Sequence, residues 1–198
     1  MNGRDRFFSV GAARTDITPP LDVPYLSFAP RHQAFGGVHD PLHARAFVVS
    51  DGIRRGAIIA AEAIGFISSV LGPDRDFTAE VRAEIGRRTG IAADHIMLAA
   101  AHVHSSPDSI DIRPLRESPA GKAWLEELIG KFGRLVEAAR ADMFEATLRI
   151  GQAEFPGHSK NRRGEGCLDD LVTVLLFESV DKARRIILVN YACHPVIV

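Results

Sequence analysis

Residues 95–107 read His-Ile-Met-Leu-Ala-Ala-Ala-His-Val-His-Ser-Ser-Pro. This is an apolar run of strand length that ends in a His-x-His pair and is broken by Ser-Ser-Pro. Because side chains two residues apart on a strand point to the same side, we expect His102 and His104 to project together from its carboxyl end, with Cα atoms about 7 Å apart. Imidazole is the commonest protein ligand for metals, and a catalytic zinc ion takes about three protein ligands, so this pair would supply one or two of them.

A helix is predicted just before this strand, near residues 75–89, because apolar residues recur there at helical spacing between an acidic cap and a terminal Gly90. The residues concerned are Phe77, Val81 and Ile85, with Asp74 or Asp76 as the cap. Another apolar strand, residues 55–63, precedes the helix, which gives β-α-β order. The pattern predicts an α/β fold: a mixed, partly parallel β-sheet flanked by helices, with the site at the carboxyl ends of strands.

The rest of the chain supplies further strands and one long helix. Asp51-Gly52 suits a hairpin turn between two strands, and Ser118-Pro119 suits the start of a helix that continues to about Met143. Its apolar stripe predicts a packing surface rather than a ligand site. The remaining predicted strands are residues 7–17, 46–50, 147–155, 171–177 and 186–192.

Composition limits the class of protein. The chain has 198 residues, of which 46% are apolar, and a net charge of −1, so we expect one globular domain over residues 1–198 and no nucleic-acid partner. The two cysteines, Cys167 and Cys193, are too few for a disulfide scaffold. No apolar run has the length of a signal peptide or membrane span, so we expect a cytoplasmic protein without an integral membrane segment.

The end of the chain is also apolar. Residues 186–198 form a buried-strand pattern that contains His194 and finishes without a cap or polar tail. We therefore expect the chain to be the amino-terminal part of a longer domain, or to have its end covered by a partner chain.

A third histidine could join the pair. His194 follows a predicted strand, as His102 and His104 do, and the three could converge at one sheet edge. The alternative for each is a hydrogen-bonded structural histidine. Glu62, at the end of its own strand, could be a ligand, a group that orients a ligand, or a satisfied buried acid.

Two loops contain other candidate residues. Arg162 and Arg163 could bind an oxyanion or belong to a solvated loop. His39 and Asp40 could be ligands, a base with its orienting acid, or turn residues. The other histidines, His32, His43, His95 and His158, are interpreted as surface or structural residues.

Catalysis by a serine nucleophile is disfavoured. There is no Gly-x-Ser-x-Gly elbow, and Ser105 and Ser106 adjoin His104 on a strand whose neighbouring side chains point apart. Metal-assisted chemistry fits the pattern better.

Five motifs in this order resemble the amino-terminal catalytic region of the neutral/alkaline (non-lysosomal) ceramidase family. They are residues 11–20 (Gly-Ala-Ala-Arg-Thr-Asp-Ile-Thr-Pro-Pro), 37–46 (Gly-Val-His-Asp-Pro-Leu-His-Ala-Arg-Ala), 101–107 (Ala-His-Val-His-Ser-Ser-Pro), 161–163 (Asn-Arg-Arg) and 190–195 (Asn-Tyr-Ala-Cys-His-Pro). The resemblance implies a zinc-dependent amidohydrolase, in which a zinc-activated water hydrolyses an N-acyl amide such as ceramide. The implied partner is a small N-acyl lipid or a related amide.

The resemblance also implies roles for individual residues. His102 and His194 match zinc ligands, and His104 matches a catalytic or substrate-orienting group. Arg162 matches the family's oxyanion or substrate contact, and we assign its neighbour Arg163 and also His39 to substrate binding.

Two departures from the family pattern leave other functions open. Ala101 and Ser106 stand where the family motif has Thr and Gly. The family's remaining ligands, a Glu and a Tyr, and its Gly-Asp-Val-Ser-Pro segment would lie beyond Val198. The alternatives are therefore a non-catalytic or incomplete module that acts as a binding or assembly partner, and a hydrolase of another ester or amide.

Overall fold

The computed structural model describes residues 7–24, 36–112 and 115–194. The interpretation of His32, and the expectations for residues 195–198, fall outside these ranges. The described strands are β1 (Phe8–Asp16), β2 (His43–Ser50), β3 (Arg55–Ala61), β4 (Ile96–Ala100), β5 (Phe144–Glu154), β6 (Leu171–Ser179) and β7 (Arg185–Asn190). The two α-helices are α1 (Phe77–Thr89) and α2 (Pro119–Ala141).

The strands form one mixed sheet, which confirms the predicted α/β class. Within the described ranges it has seven strands in the order β4-β3-β2-β1-β5-β6-β7. β3 and β4 run parallel, in register from Ala57 opposite Ile96 to Ala61 opposite Ala100, and the other neighbours are antiparallel. The parallel pair is joined through α1, as the β-α-β pattern predicts.

The ends of both helices follow from their sequences. The Asp76 side chain accepts a hydrogen bond from the Ala79 N–H at 2.9 Å, and Gly90 adopts φ 71° at the carboxyl end of α1. This left-handed conformation is easy for glycine because it has no Cβ. Ser118 caps α2 by accepting from the Gly121 N–H at 3.3 Å, with Pro119 in the first turn.

The apolar face of α2 packs on one side of the sheet, which confirms its predicted role as a packing surface. It buries Trp124 and Phe132 in a core with strand residues such as Ile59. The Trp124 indole donates to the Ile17 carbonyl at 2.9 Å, so this buried N–H is satisfied. Neither helix of the described chain is long and apolar enough to cross a bilayer.

A second cluster of buried apolar side chains forms on the side of the sheet opposite α2, here called the outer face. Phe47 of β2 and Phe177 of β6 pack with ring centroids 5.0 Å apart, although β1 and β5 lie between their strands in the sheet order. Ile58 of β3 and Leu188 of β7 pack against the same cluster. The sheet therefore coils strongly, and β6 and β7 approach the outer face of β2 and β3.

Several predicted boundaries shift by a few residues. β5 begins at Phe144 rather than 147, and β7 ends at Asn190 rather than 192. The larger difference is at β4, which ends at Ala100, before the His-x-His pair.

Gly11 of β1 tests the close contact between the sheet and α2. A Cβ at this position would lie 2.0 Å from the Ala139 carbonyl oxygen, whereas a Cβ at Gly151 of β5 would meet nothing within 4 Å. We expect Gly11→Ala to lower the free energy of unfolding by about 1–3 kcal/mol through overpacking, and Gly151→Ala to change it little. Urea unfolding of both variants measures this, and equal stabilities would contradict the packing described.

Candidate functional site

Three imidazole rings converge where the two edges of the sheet approach each other. The Nε2 atom of His104 lies 3.3 Å from Nε2 of His102 and 3.0 Å from Nε2 of His194. Candidate ligand atoms of all three lie within 4.8 Å of one another, a spacing that could hold a metal ion. His102 and His104 follow β4, and His194 follows β7, the opposite edge strand.

The His-x-His pair converges for a different reason from the one predicted. The pair lies beyond the end of β4, and His102 has φ 60°, in the left-handed region, so strand alternation does not align the two rings. The backbone still follows the end of β3, because the Ala101 N–H donates to the Ala61 carbonyl at 2.8 Å and the Val103 N–H to the Ala63 carbonyl at 3.0 Å. These bonds hold the backbone on both sides of His102 while it turns.

The peptide groups of Ile64 position this turn. The His102 Nδ1–H donates to the Ile64 carbonyl at 2.6 Å. Because a carbonyl only accepts, Nδ1 carries the proton and the Nε2 lone pair of His102 faces the other two rings. A hydrogen bond of this kind fixes the tautomer and ring orientation of many metal-binding histidines.

Ser106 connects the same turn to Ile64. Its hydroxyl is buried, accepts from the Ile64 N–H at 2.9 Å and donates to the Val103 carbonyl at 2.7 Å. Ile64 therefore contacts the histidine loop through both its N–H and its carbonyl. No local sequence pattern predicts this role of Ser106.

The electrostatic surroundings favour the neutral form of His194. Desolvation is the main cause that lowers its pKa, and electrostatic repulsion from the neighbouring His102, His104 and Arg162 side chains lowers it further. A neutral imidazole keeps the lone pair that metal binding requires.

A cleft of about 770 Å³ adjoins the cluster at His194. Arg162 lines this cleft, so the structure brings the predicted arginine and His194 to one place, 32 positions apart in the sequence. The lining residues are Gly157, His158, Ser159, Lys160, Asn161, Arg162, Cys167, Leu168, Asp169, Ala192, Cys193 and His194. Lys160, Asp169 and the two cysteines were not predicted to be here, because no local pattern shows that their loop faces the end of β7.

Arg163 and His39 are not brought to this cleft. The Arg163 side chain lies 3.7 Å from Glu165 and is 83% exposed. His39 pairs with Asp40 at 2.8 Å, and its side chain is 98% exposed. Their assignment to substrate binding stays a prediction.

Glu62 has the structure of a satisfied acid, one of the interpretations considered for it. Its carboxylate accepts from the His43 N–H at 2.7 Å and from the Arg45 guanidinium at 2.6 Å. Burial raises the pKa of Glu62, but these hydrogen bonds and the charges of Arg45 and His43 outweigh it, so the pKa is lowered overall. The acid is therefore held ionised by Arg45, and it is not part of the histidine group.

The other described histidines make local contacts. The Nδ1 atom of His43 lies 3.7 Å from the Glu62 carboxylate, and that of His95 lies 3.1 Å from the Arg55 carbonyl. The ring of His158 packs against Phe155 with centroids 4.0 Å apart. His158 also lines the cleft, whereas the sequence indicated only a surface or structural residue.

Comparison with known proteins gives a consistent result. No protein-family model matches the chain. The neutral ceramidases of Drosophila pseudoobscura pseudoobscura and Drosophila melanogaster are each 31% identical to it over 104 residues, which is 50% of this chain and 14% of either relative. The solved structure of neutral ceramidase from Pseudomonas aeruginosa matches its fold with a TM-score of 0.71 and 21% identity over 90% of this chain.

The chain is related to the neutral ceramidases. A second solved structure, of a ceramidase complexed with C2, matches equally well, at a TM-score of 0.71 and 21% identity. The chain spans only 30% of these solved chains and 14% of the Drosophila relatives. This relationship confirms the family resemblance of the sequence motifs.

Ser106→Ala tests the anchoring of the histidine turn. The substitution leaves the buried Ile64 N–H without its acceptor, so we expect a loss of about 1–3 kcal/mol in the free energy of unfolding. Ser105→Ala, at the exposed neighbouring position, is the matched control and should change stability by less than about 0.5 kcal/mol. Urea unfolding distinguishes the two, and a neutral Ser106→Ala would show that the hydroxyl does not hold the turn.

Proposed function

We propose that this chain contributes metal ligands and substrate contacts to a ceramidase-like, zinc-dependent amidohydrolase. The observation that carries the proposal is the convergence of three Nε2 atoms from the opposite edges of the sheet. The relationship to neutral ceramidases supports hydrolysis as the reaction and an N-acyl lipid as the class of substrate.

The donor set fits zinc. Imidazole nitrogen is a common ligand of zinc. Zinc ions at structural and catalytic sites in proteins usually have four ligands. His102 presents an unprotonated Nε2, because its Nδ1–H is held by Ile64. Among the described residues, no other cluster of His, Cys, Asp or Glu side chains could hold a metal ion. We therefore propose that the remaining zinc ligands are water or side chains outside the described residues.

Each site residue has a different proposed role in amide hydrolysis. A zinc ion held by His102 and His194 would lower the pKa of water and polarise the amide carbonyl. The Arg162 guanidinium donates hydrogen bonds to the oxygen on which negative charge develops, and its position in the cleft beside His194 supports this role. His104 delivers a proton to the amine nitrogen as the C–N bond breaks, leaving a carboxylic acid and a free amine.

The position of His104 allows a second role. Its Nε2 lies close to both other rings, so it could bind the same ion as a third ligand. The proposed proton transfer and this alternative differ in what His104→Ala does to zinc affinity, which makes the assignment testable.

The test measures zinc binding and hydrolysis of N-acyl amides in the same variants. We expect His102→Ala to lose stoichiometric zinc and all turnover. We expect His104→Ala to keep its zinc, by metal analysis after dialysis, while turnover falls by about 10²- to 10⁴-fold, as for removal of a general acid. His95→Asn, at the opposite end of β4, is the matched control and should retain both.

The outcomes separate the hypotheses. Loss of zinc in His104→Ala would make His104 a ligand and overturn its proposed role. Zinc binding without turnover of any N-acyl amide by the longest native protein that contains this chain would overturn the hydrolase and favour the non-catalytic module. Absence of zinc from the wild type would overturn the proposal as a whole.

A further inference from the structure

The cleft beside His194 has more positive than negative groups among its lining residues. Lys160 and Arg162 supply two cations, and Asp169 supplies the one carboxylate. The whole chain has a net charge of −1, so this excess is a local feature. A concave surface that carries charge of one sign concentrates ligands of the opposite sign.

Neither cation is neutralised by the described part of the chain. No hydrogen bond or ion pair joins Lys160 or Arg162 to a described acidic residue, whereas neighbouring Arg163 lies beside Glu165. The acids nearest in sequence have other partners. Asp169 accepts from the Leu171 N–H at 3.1 Å, and Asp170 accepts from the Ser159 hydroxyl at 3.3 Å.

The positive charge lies close to the reacting groups. Lys160, Arg162 and His194 line the same cleft. Lys160 precedes Arg162 by two residues, so their Cα atoms are at most about 7 Å apart. An anion bound by Lys160 would therefore lie in the same cleft as the proposed scissile amide.

We infer that the substrate is an N-acyl amide whose amine portion carries an anionic group, such as the carboxylate of an N-acyl amino acid, and that Lys160 binds this group. The inference rests on the proposed function for the position of the amide bond. It narrows the substrate class, because a neutral amino-alcohol head group would leave Lys160 without a charged partner.

Two matched amides test the charge alone. N-octanoylglycine and N-octanoylethanolamine share an acyl chain and an amine of two carbons, but end in a carboxylate and a hydroxyl group. Their binding is measured by isothermal titration calorimetry on the 198-residue chain after removal of zinc, so that the result needs neither metal nor turnover. We expect N-octanoylglycine to bind at least about fivefold more tightly, the ratio that one ion pair near 4 Å in water provides.

Variants assign the effect to one residue. Lys160→Gln should abolish the preference by weakening only the glycine compound, by about fivefold. Lys182→Gln removes a lysine in the turn between β6 and β7, outside the cleft lining, and should keep the preference. Equal binding of both amides by the wild type, or an unchanged preference in Lys160→Gln, would overturn the inference. These outcomes leave the zinc and turnover results intact, so the two proposals can fail separately.

Discussion

The arrangement of the site depends on the contact between Phe47 and Phe177 on the outer face of the sheet. An open sheet of seven strands would keep its two edge strands far apart, and no metal could then bind to residues that follow both. Burial of these rings, with Leu188 of β7 against the same cluster, makes the sheet coil instead. The apolar contact on one face thus brings His194 to the pair that follows β4.

Local hydrogen bonds orient the His102 ring once the coiled sheet has brought the histidine loops together. The sheet brings the loops together, but ring orientation depends on the turn at His102 and on the Ile64 peptide groups. Ser106 binds the N–H of Ile64, so one buried hydroxyl supports the residue that orients His102. The His102 ring is therefore held in place by a backbone carbonyl, and supporting contacts of this kind preorganise a functional site.

Periodicity and capping predicted most of the fold. The α/β class, both helices and the parallel pair of strands follow from spacing that can be read locally. Ser118 was predicted as the cap of α2, and of the two caps considered for α1, Asp74 and Asp76, the structure has Asp76. The left-handed turn at His102 has no such signal, because neither glycine nor asparagine marks it. Convergence of the three histidines was predicted as a possibility, but its cause, a long-range contact between β2 and β6, leaves no local pattern. For the same reason the sequence did not show that Lys160 and Asp169 face the end of β7.

The central claim is that groups from opposite edges of the sheet bind one zinc ion. Diffraction from zinc-loaded crystals, recorded on both sides of the zinc absorption edge, tests it most directly. The account predicts one strong anomalous peak about 2.0–2.1 Å from the Nε2 atoms of both His102 and His194. A peak bound to residues of only one sheet edge, or no peak at these histidines, would contradict it.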